Sequence, residues 1–139
     1  MSTDPRTPII EVSDVTKVYG KGDVRVSALR GVSFVVREGE YLAIMGPSGS
    51  GKTTLLGILG CLDRPSGGAY ELDGHLTTEM SSAALAGVRN ARIGFVFQSF
   101  ELMPRMTALK NVEMPLVYAP NGWFGRHKRA RHALERVGL

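Results

Sequence analysis

The sequence predicts an α/β fold on two observations: two short runs that are apolar or glycine at every position, and a glycine-rich loop joining the first of them to a helix. The first run, Tyr41-Leu42-Ala43-Ile44-Met45, follows the turn Glu38-Gly39-Glu40. The second, Ile93-Gly94-Phe95-Val96-Phe97, ends at Gln98. Without polar alternation, such strands are buried on both faces, and they belong to sheets covered by helices on both sides. The chain has 139 residues, 43% hydrophobic and 22% charged, which suits about one folded domain and excludes extended disorder.

The remaining elements follow in chain order. Ile9-Ile10-Glu11-Val12 and Val32-Ser33-Phe34-Val35-Val36 are rich in β-branched and aromatic residues, and read as strands separated by an excursion punctuated at Gly20, Gly22 and Gly31. Lys52 to Leu59 has helical composition, with Gly60 as C-terminal cap. Ala69 to Leu72 is a short strand closed by the turn dipeptide Asp73-Gly74, and Ser81 to Arg92 is a helix interrupted by Gly87. Beyond Gln98, Pro104, Pro115 and Pro120 break up short helical pieces around Thr107 to Met114. Ala130, Ala133, Leu134 and Val137 then fall on one face of a helix beginning near Arg126.

Charge narrows the classes of partner. Residues 1–120 carry 12 Lys and Arg against 12 Asp and Glu, so the net charge of +4 resides wholly in residues 121–139, with five basic residues against Glu135. A basic terminal helix face is not a groove-lining stripe, and no nucleic-acid partner is expected. The one cysteine, Cys61, makes no internal disulfide and reads as a small packing residue in a reducing compartment. Asp4, Pro5 and Pro8 stand where a signal peptide would be apolar, and no apolar run approaches membrane-spanning length, so a cytoplasmic protein is expected. His75, His127 and His132 lack ligand spacing.

The chemistry is concentrated in Gly46-Pro47-Ser48-Gly49-Ser50-Gly51-Lys52-Thr53-Thr54, directly after the first buried run. It matches the P-loop pattern of glycine, four residues, Gly-Lys and a hydroxyl residue. Glycines let successive backbone N–H groups turn inward as an anion nest, and the helix N-terminus beyond adds its dipole. Lys52 can reach the β- and γ-phosphates of a nucleoside triphosphate, the Thr53 hydroxyl can ligate Mg²⁺, and Thr54 can add a phosphate contact. A dinucleotide loop is excluded because the third glycine is missing.

The P-loop after Glu-Gly-Glu-Tyr-Leu-Ala-Ile-Met resembles the nucleotide-binding domain of ABC transporters. The segment from Ile93 through Gln98 and Pro104 to Leu116 resembles the lipoprotein-releasing and macrolide-exporting branch, and the similarity runs from about Ile9 to Leu139. The resemblance implies an N-terminal part of that domain: an antiparallel β subdomain, an incomplete core sheet and the start of a helical subdomain, divided as 1–98 and 99–139. It implies that Tyr19 stacks on adenine and that Gln98 contacts Mg²⁺ and the attacking water. A transmembrane permease subunit and a second ATP-binding subunit are the implied partners, with residues from Ser99 to Asn111 beginning the docking subdomain. The implied place is the cytoplasmic face of the cell membrane.

The family's hydrolytic machinery further requires an apolar strand ending in Asp-Glu (Walker B), a signature loop and a switch histidine. No apolar run here ends in Asp-Glu, and Ser66-Gly67-Gly68 between Pro65 and Ala69 reads as a turn, not the signature. The expectation is therefore an ATPase component whose 139 residues bind nucleotide weakly and do not hydrolyse it. Two other classes use the same loop: a small-molecule kinase with Arg64, Arg89 or Arg92 clamping a second phosphate, and an ATP-dependent nucleic-acid binder using the basic end. The kinase reading leaves Tyr19 and the Gln98 segment without a role.

Overall fold

The β-branched residues of the N-terminal third form one long antiparallel hairpin, β1 (Pro8–Lys21) and β2 (Val24–Arg37), in the computed structural model, which describes residues 6–22, 24–119 and 124–139. The two short strands expected from composition are its base, where Val12 pairs with Phe34 and Glu11 with Val35. The stretch expected to be an excursion continues the ladder, because bulges absorb its irregular residues. Between Val12 and Val15 the register shifts; there Asp14 takes a left-handed φ of 50° and its N–H donates to Ser33 Oγ at 2.8 Å.

β3 (Gly67–Leu72) adds to the other edge of β1, pairing Leu72 with Ile10 and Tyr70 with Val12, and β4 (His75–Leu76) returns from β3. The intervening Asp73-Gly74 has φ of 51° and 71°, the doubly positive turn whose twist suits a tight hairpin. The sheet order is β2-β1-β3-β4. Ser66-Gly67-Gly68 is only partly the turn expected: Ser66 bends and the two glycines begin β3. A Cβ on Gly68 would lie 2.2 Å from the Asp14 carbonyl oxygen, so the strands meet here only because glycine has no side chain.

α1 (Lys52–Leu59) follows the expected range and rests against β2. Its Leu55 and Ile58 are buried together with Val12, Val15, Leu29, Val36, Cys61 and Tyr70, which form the core around the hairpin. Gly60 ends the helix through its N–H to Leu56 O at 2.8 Å, and the left-handed residue is the next one, buried Cys61. Tyr70 donates its hydroxyl to Leu59 O at 2.8 Å and so ties β3 to the end of α1. Burial, and to a smaller degree neighbouring Cys61, push that phenol above its ordinary range. α2 (Ser82–Arg92) starts one residue later than expected because the Ser81 hydroxyl accepts from the Ala84 N–H and caps it.

The two buried strands expected at Tyr41–Met45 and Ile93–Phe97 do not form. Tyr41 and Met45 are 91% and 87% exposed, and Val96 is fully so. A strand buried on both faces needs hydrogen-bonded neighbours and helical cover, and neither segment has a strand partner among the described residues. Phe95 and Phe97, expected in the core, instead stack on each other with ring centroids 5.5 Å apart. The sheet present is thus the antiparallel one, with the core sheet unassembled among the described residues.

The chain divides into two compact units, Met1–Leu85 and Ala86–Leu139. In the second lie α3 (Ala108–Glu113), a 3₁₀ turn over Pro115–Tyr118 and α4 (Arg126–Glu135). Thr107 caps α3 by accepting from the Lys110 N–H, and Asn111 folds the preceding loop back by accepting from the Met103 N–H at 2.7 Å. Pro115 ends the helical piece as expected; Pro120, like Asp4 and Pro5, lies outside the described residues. The apolar face of α4 is narrower than its spacing suggests: Ala130 is fully buried and Leu134 half-buried, while Ala133 is exposed and Val137 lies past the helix end.

What fastens α3 to α4 is a buried carboxylate. Glu113, 5% exposed, accepts from Lys110 Nζ at 3.0 Å and from His127 Nδ1 at 2.9 Å. The Lys110 hydrogen bond, aided by His127 and both charges, outweighs burial and holds this carboxyl below its ordinary value of 4.5. A depressed carboxyl contributes stability above its unfolded value and loses it as pH falls through the lower folded one. Amide exchange in α3 and α4 is therefore expected to accelerate as pH drops below about 4.5, relative to α1. Glu113→Gln should flatten that dependence; an unchanged acid profile in this variant would count against the fastening.

Candidate phosphate and nucleotide site

The glycine-rich loop turns on itself before entering α1. Ser50 N–H reaches Pro47 O at 3.3 Å, Gly49 and Gly51 hold φ of 78° and 89°, and Leu55 N–H bonds Gly51 O at 2.8 Å to open the helix. Only glycine takes these φ values without strain, which is why the loop can wrap the helix N-terminus. Lys52, the first helical residue, folds back and donates from Nζ to Gly46 O at 2.8 Å and Pro47 O at 2.7 Å. An ammonium has three donors, so two loop carbonyls fix its place and one donor remains for an anion.

That arrangement fits a polyphosphate: a fixed cation, a helix N-terminus whose first N–H groups have no intrahelical partner, and a loop without Cβ atoms at its turns. Ser48, Ser50 and Thr53 are exposed, and Thr53 lies in the first turn of α1, where its hydroxyl would meet a metal bound to the phosphates. Thr54 is half-buried. Beside the loop, a cleft of about 360 Å³ opens between Gly49 and Ser50 on one wall and Ser27 to Arg30 and Val32 of β2 on the other.

Tyr19, the residue matched to adenine stacking, lies near the end of β1 in the same unit as the loop, and its hydroxyl donates to Asp63 Oδ2 at 2.8 Å. Gln98 belongs to the second unit, exposed and outside any helix or strand. The histidines find ordinary partners: His75 the Asp73 carbonyl, His127 Glu113 and His132 Glu135. No group of three or more metal-ligating side chains occurs among the described residues. No described helix is long and apolar enough to cross a membrane.

Sequence reasoning did not single out Lys17 or Asp63, which hold each other at 2.6 Å beside Tyr19. Lys17 carried a signal, since residues two apart on a strand face the same side. Asp63, 44 residues from Tyr19, carried none. Glu113 and His127 were likewise joined only by the fold.

A glycine-rich loop wrapped on a helix N-terminus, with the first lysine of the helix folded back onto it, is the construction of a P-loop nucleotide-binding protein. The sequence model described as ABC transporter matches residues 29–139. An uncharacterized ABC transporter ATP-binding protein of Thermotoga maritima is 56% identical over 94% of this chain and 56% of its own length. The pyoverdine export ATP-binding/permease protein PvdT of Pseudomonas aeruginosa is 50% identical over 99% of this chain and 21% of its own. A solved dimer of the ATP-binding cassette MJ0796, in a post-hydrolysis state with ADP and Pi, is similar with a TM-score of 0.81 and 43% identity, covering 94% of this chain and 57% of that one. The chain belongs to the ABC transporter family. It spans about half the length of the cassette relatives and about a fifth of the fused export proteins.

Proposed function

We propose that the chain is the P-loop part of an ATP-binding subunit that couples ATP to export or lipoprotein release through a transmembrane permease. The observation that carries this is Lys52 Nζ held on Gly46 O and Pro47 O at the start of α1, a cation placed for the phosphates of ATP before they arrive. Gly46 to Thr54 would cradle those phosphates, Thr53 would hold Mg²⁺ and Tyr19 would stack on adenine, while Gln98 keeps the Mg²⁺ role that the family resemblance gives it. Bound Mg²⁺ would supply charge neutralisation between the phosphates. Export relatives such as PvdT support the direction of transport, and the MJ0796 dimer supports pairing with a second ATP-binding subunit.

Residues 1–98 form the nucleotide-binding part in this reading and 99–139 the start of the part that docks the permease, at the cytoplasmic face of the cell membrane. Hydrolysis needs a water positioned by a carboxylate and a metal held on more than one side. The 139 residues contain no apolar strand ending in Asp-Glu and no signature loop, so they bind MgATP weakly and do not turn it over. The test is calorimetric titration with MgATP alongside steady-state phosphate release. Saturable binding with release at background is expected; release above background that disappears in Lys52→Ala would overturn the second half of the reading, and absence of saturable binding the first.

A further inference from the structure

We propose that Lys17 and Asp63 are positioning residues for Tyr19, fixing its ring against one face so that the other is presented to the nucleotide base. This rests on the reading of Tyr19 as the base platform. Asp63 divides its carboxylate between the two: Oδ1 accepts from Lys17 Nζ at 2.6 Å and Oδ2 from the Tyr19 hydroxyl at 2.8 Å. Lys17 Nζ also donates to Arg64 O at 2.6 Å and lies over the Tyr19 ring, 4.9 Å from its centroid. The ring is therefore held at its hydroxyl and covered on one face, and a stacked base can use only the face that Lys17 leaves.

The burial pattern is the reverse of what adhesion alone would give. A lysine usually buries its stem and carries its ammonium to water. Here the Lys17 side chain is 12% exposed, while the aromatic residue beside it is 43% exposed. Immobilising a long cation and a carboxylate costs conformational entropy and desolvation, and an apolar pair would hold β1 to the turn after α1 at least as well. What a cation on one ring face adds is electronic: it draws on the π cloud and eases repulsion with a second π system on the opposite face. Burial pushes the Asp63 carboxyl up, but hydrogen bonds from Lys17, Tyr19 and the Arg64 N–H, with the Lys17 charge, together outweigh it and hold the carboxyl below its ordinary range, so it is ionised at neutral pH.

The anchor also sets the distance between base and phosphates. Asp63 follows α1, whose first residue is Lys52, and the intervening 60–63 turn is closed by Leu62 N–H and Asp63 N–H on Gly57 O at 2.8 and 3.1 Å. The next residues are tied to β1 by Val18 N–H on Ser66 Oγ at 3.0 Å and Ser66 N–H on Thr16 O at 2.8 Å. A short, hydrogen-bonded path thus runs from the lysine of the loop through α1 to the hydroxyl of Tyr19.

The test compares the 139-residue chain's affinity for MgATP with its affinity for inorganic tripolyphosphate, which has the phosphates without the base. Tyr19→Ala should lower the MgATP affinity alone, by about tenfold for a lost base stack. Asp63→Asn and Lys17→Met should each lower it by about fivefold, the net worth of one hydrogen bond, and leave tripolyphosphate unchanged. In a Tyr19→Phe background, which keeps the ring but has no hydroxyl to anchor, the Asp63→Asn loss should shrink. A merely structural role would weaken both ligands together, and that result overturns the proposal. If Tyr19→Ala lowers the ratio while Asp63→Asn and Lys17→Met do not, Tyr19 stacks unaided and only the positioning role falls. If Tyr19→Ala leaves the ratio unchanged, the base reading falls and this proposal with it.

Discussion

Lys52→Ala is expected to lower the affinity for MgATP and for tripolyphosphate alike, by about a hundredfold, as the charge-assisted hydrogen bond of the one remaining ammonium donor, worth roughly 1.5–3 kcal/mol, is lost. The reason is local. Lys52 Nζ is fixed by Gly46 O and Pro47 O, so the loop carbonyls hold the ammonium in place before any anion binds. Its removal takes away the cation and leaves two carbonyl oxygens where a polyanion would approach. Lys52→Arg is expected to recover little, because a planar guanidinium is larger than the ammonium these two carbonyls grip and presents its donors in a rigid fork. Titration with both ligands separates this from Tyr19→Ala, whose loss is confined to ATP. An alanine variant that binds tripolyphosphate within threefold of the parent would remove Lys52 from the site.

How much of this was legible depended on how far apart in sequence the interacting groups lie. The P-loop pattern was readable because it occupies nine consecutive residues, and α1 was found at its observed bounds from helical composition and Gly60 alone. The hairpin was underestimated: β-branched and aromatic composition located its base, but Asp14 in a left-handed bulge breaks the alternation that would have extended the strands. Tyr41–Met45 and Ile93–Phe97 were misplaced for another reason. An all-apolar run states that a segment is suited to burial, and says nothing about whether strands to bury it stand beside it. The supporting residues Asp63, Glu113 and His127 were illegible because each is an ordinary charged residue until a partner 14 to 46 positions away is brought to it, whereas Lys17 stood two residues from Tyr19 and carried that much of a signal.

Gly51→Ala is expected to cost far more than one added methyl would in open space. Gly51 holds a φ of 89° immediately before Lys52, and a Cβ there would lie 2.5 Å from Ala28 O and 2.9 Å from Leu29 Cδ2. The first of these atoms belongs to the backbone of β2, at the bulged residue between Ser27 and Leu29, which both pair with β1, so the loop must move instead. Left-handed backbone costs an alanine roughly 1–2 kcal/mol and overpacking against a rigid neighbour roughly 1–3 kcal/mol more. A loop displaced from β2 carries Lys52 and the start of α1 with it. Stability measured by denaturant titration should therefore fall by about 2–5 kcal/mol, and tripolyphosphate affinity should fall in whatever fraction remains folded. Gly49→Ala separates the two costs: its φ of 78° is equally left-handed, but nothing lies within 4 Å of the added Cβ. It should lose only the backbone part, about 1–2 kcal/mol, and equal losses in the two variants would show that contact with β2 does not hold the loop.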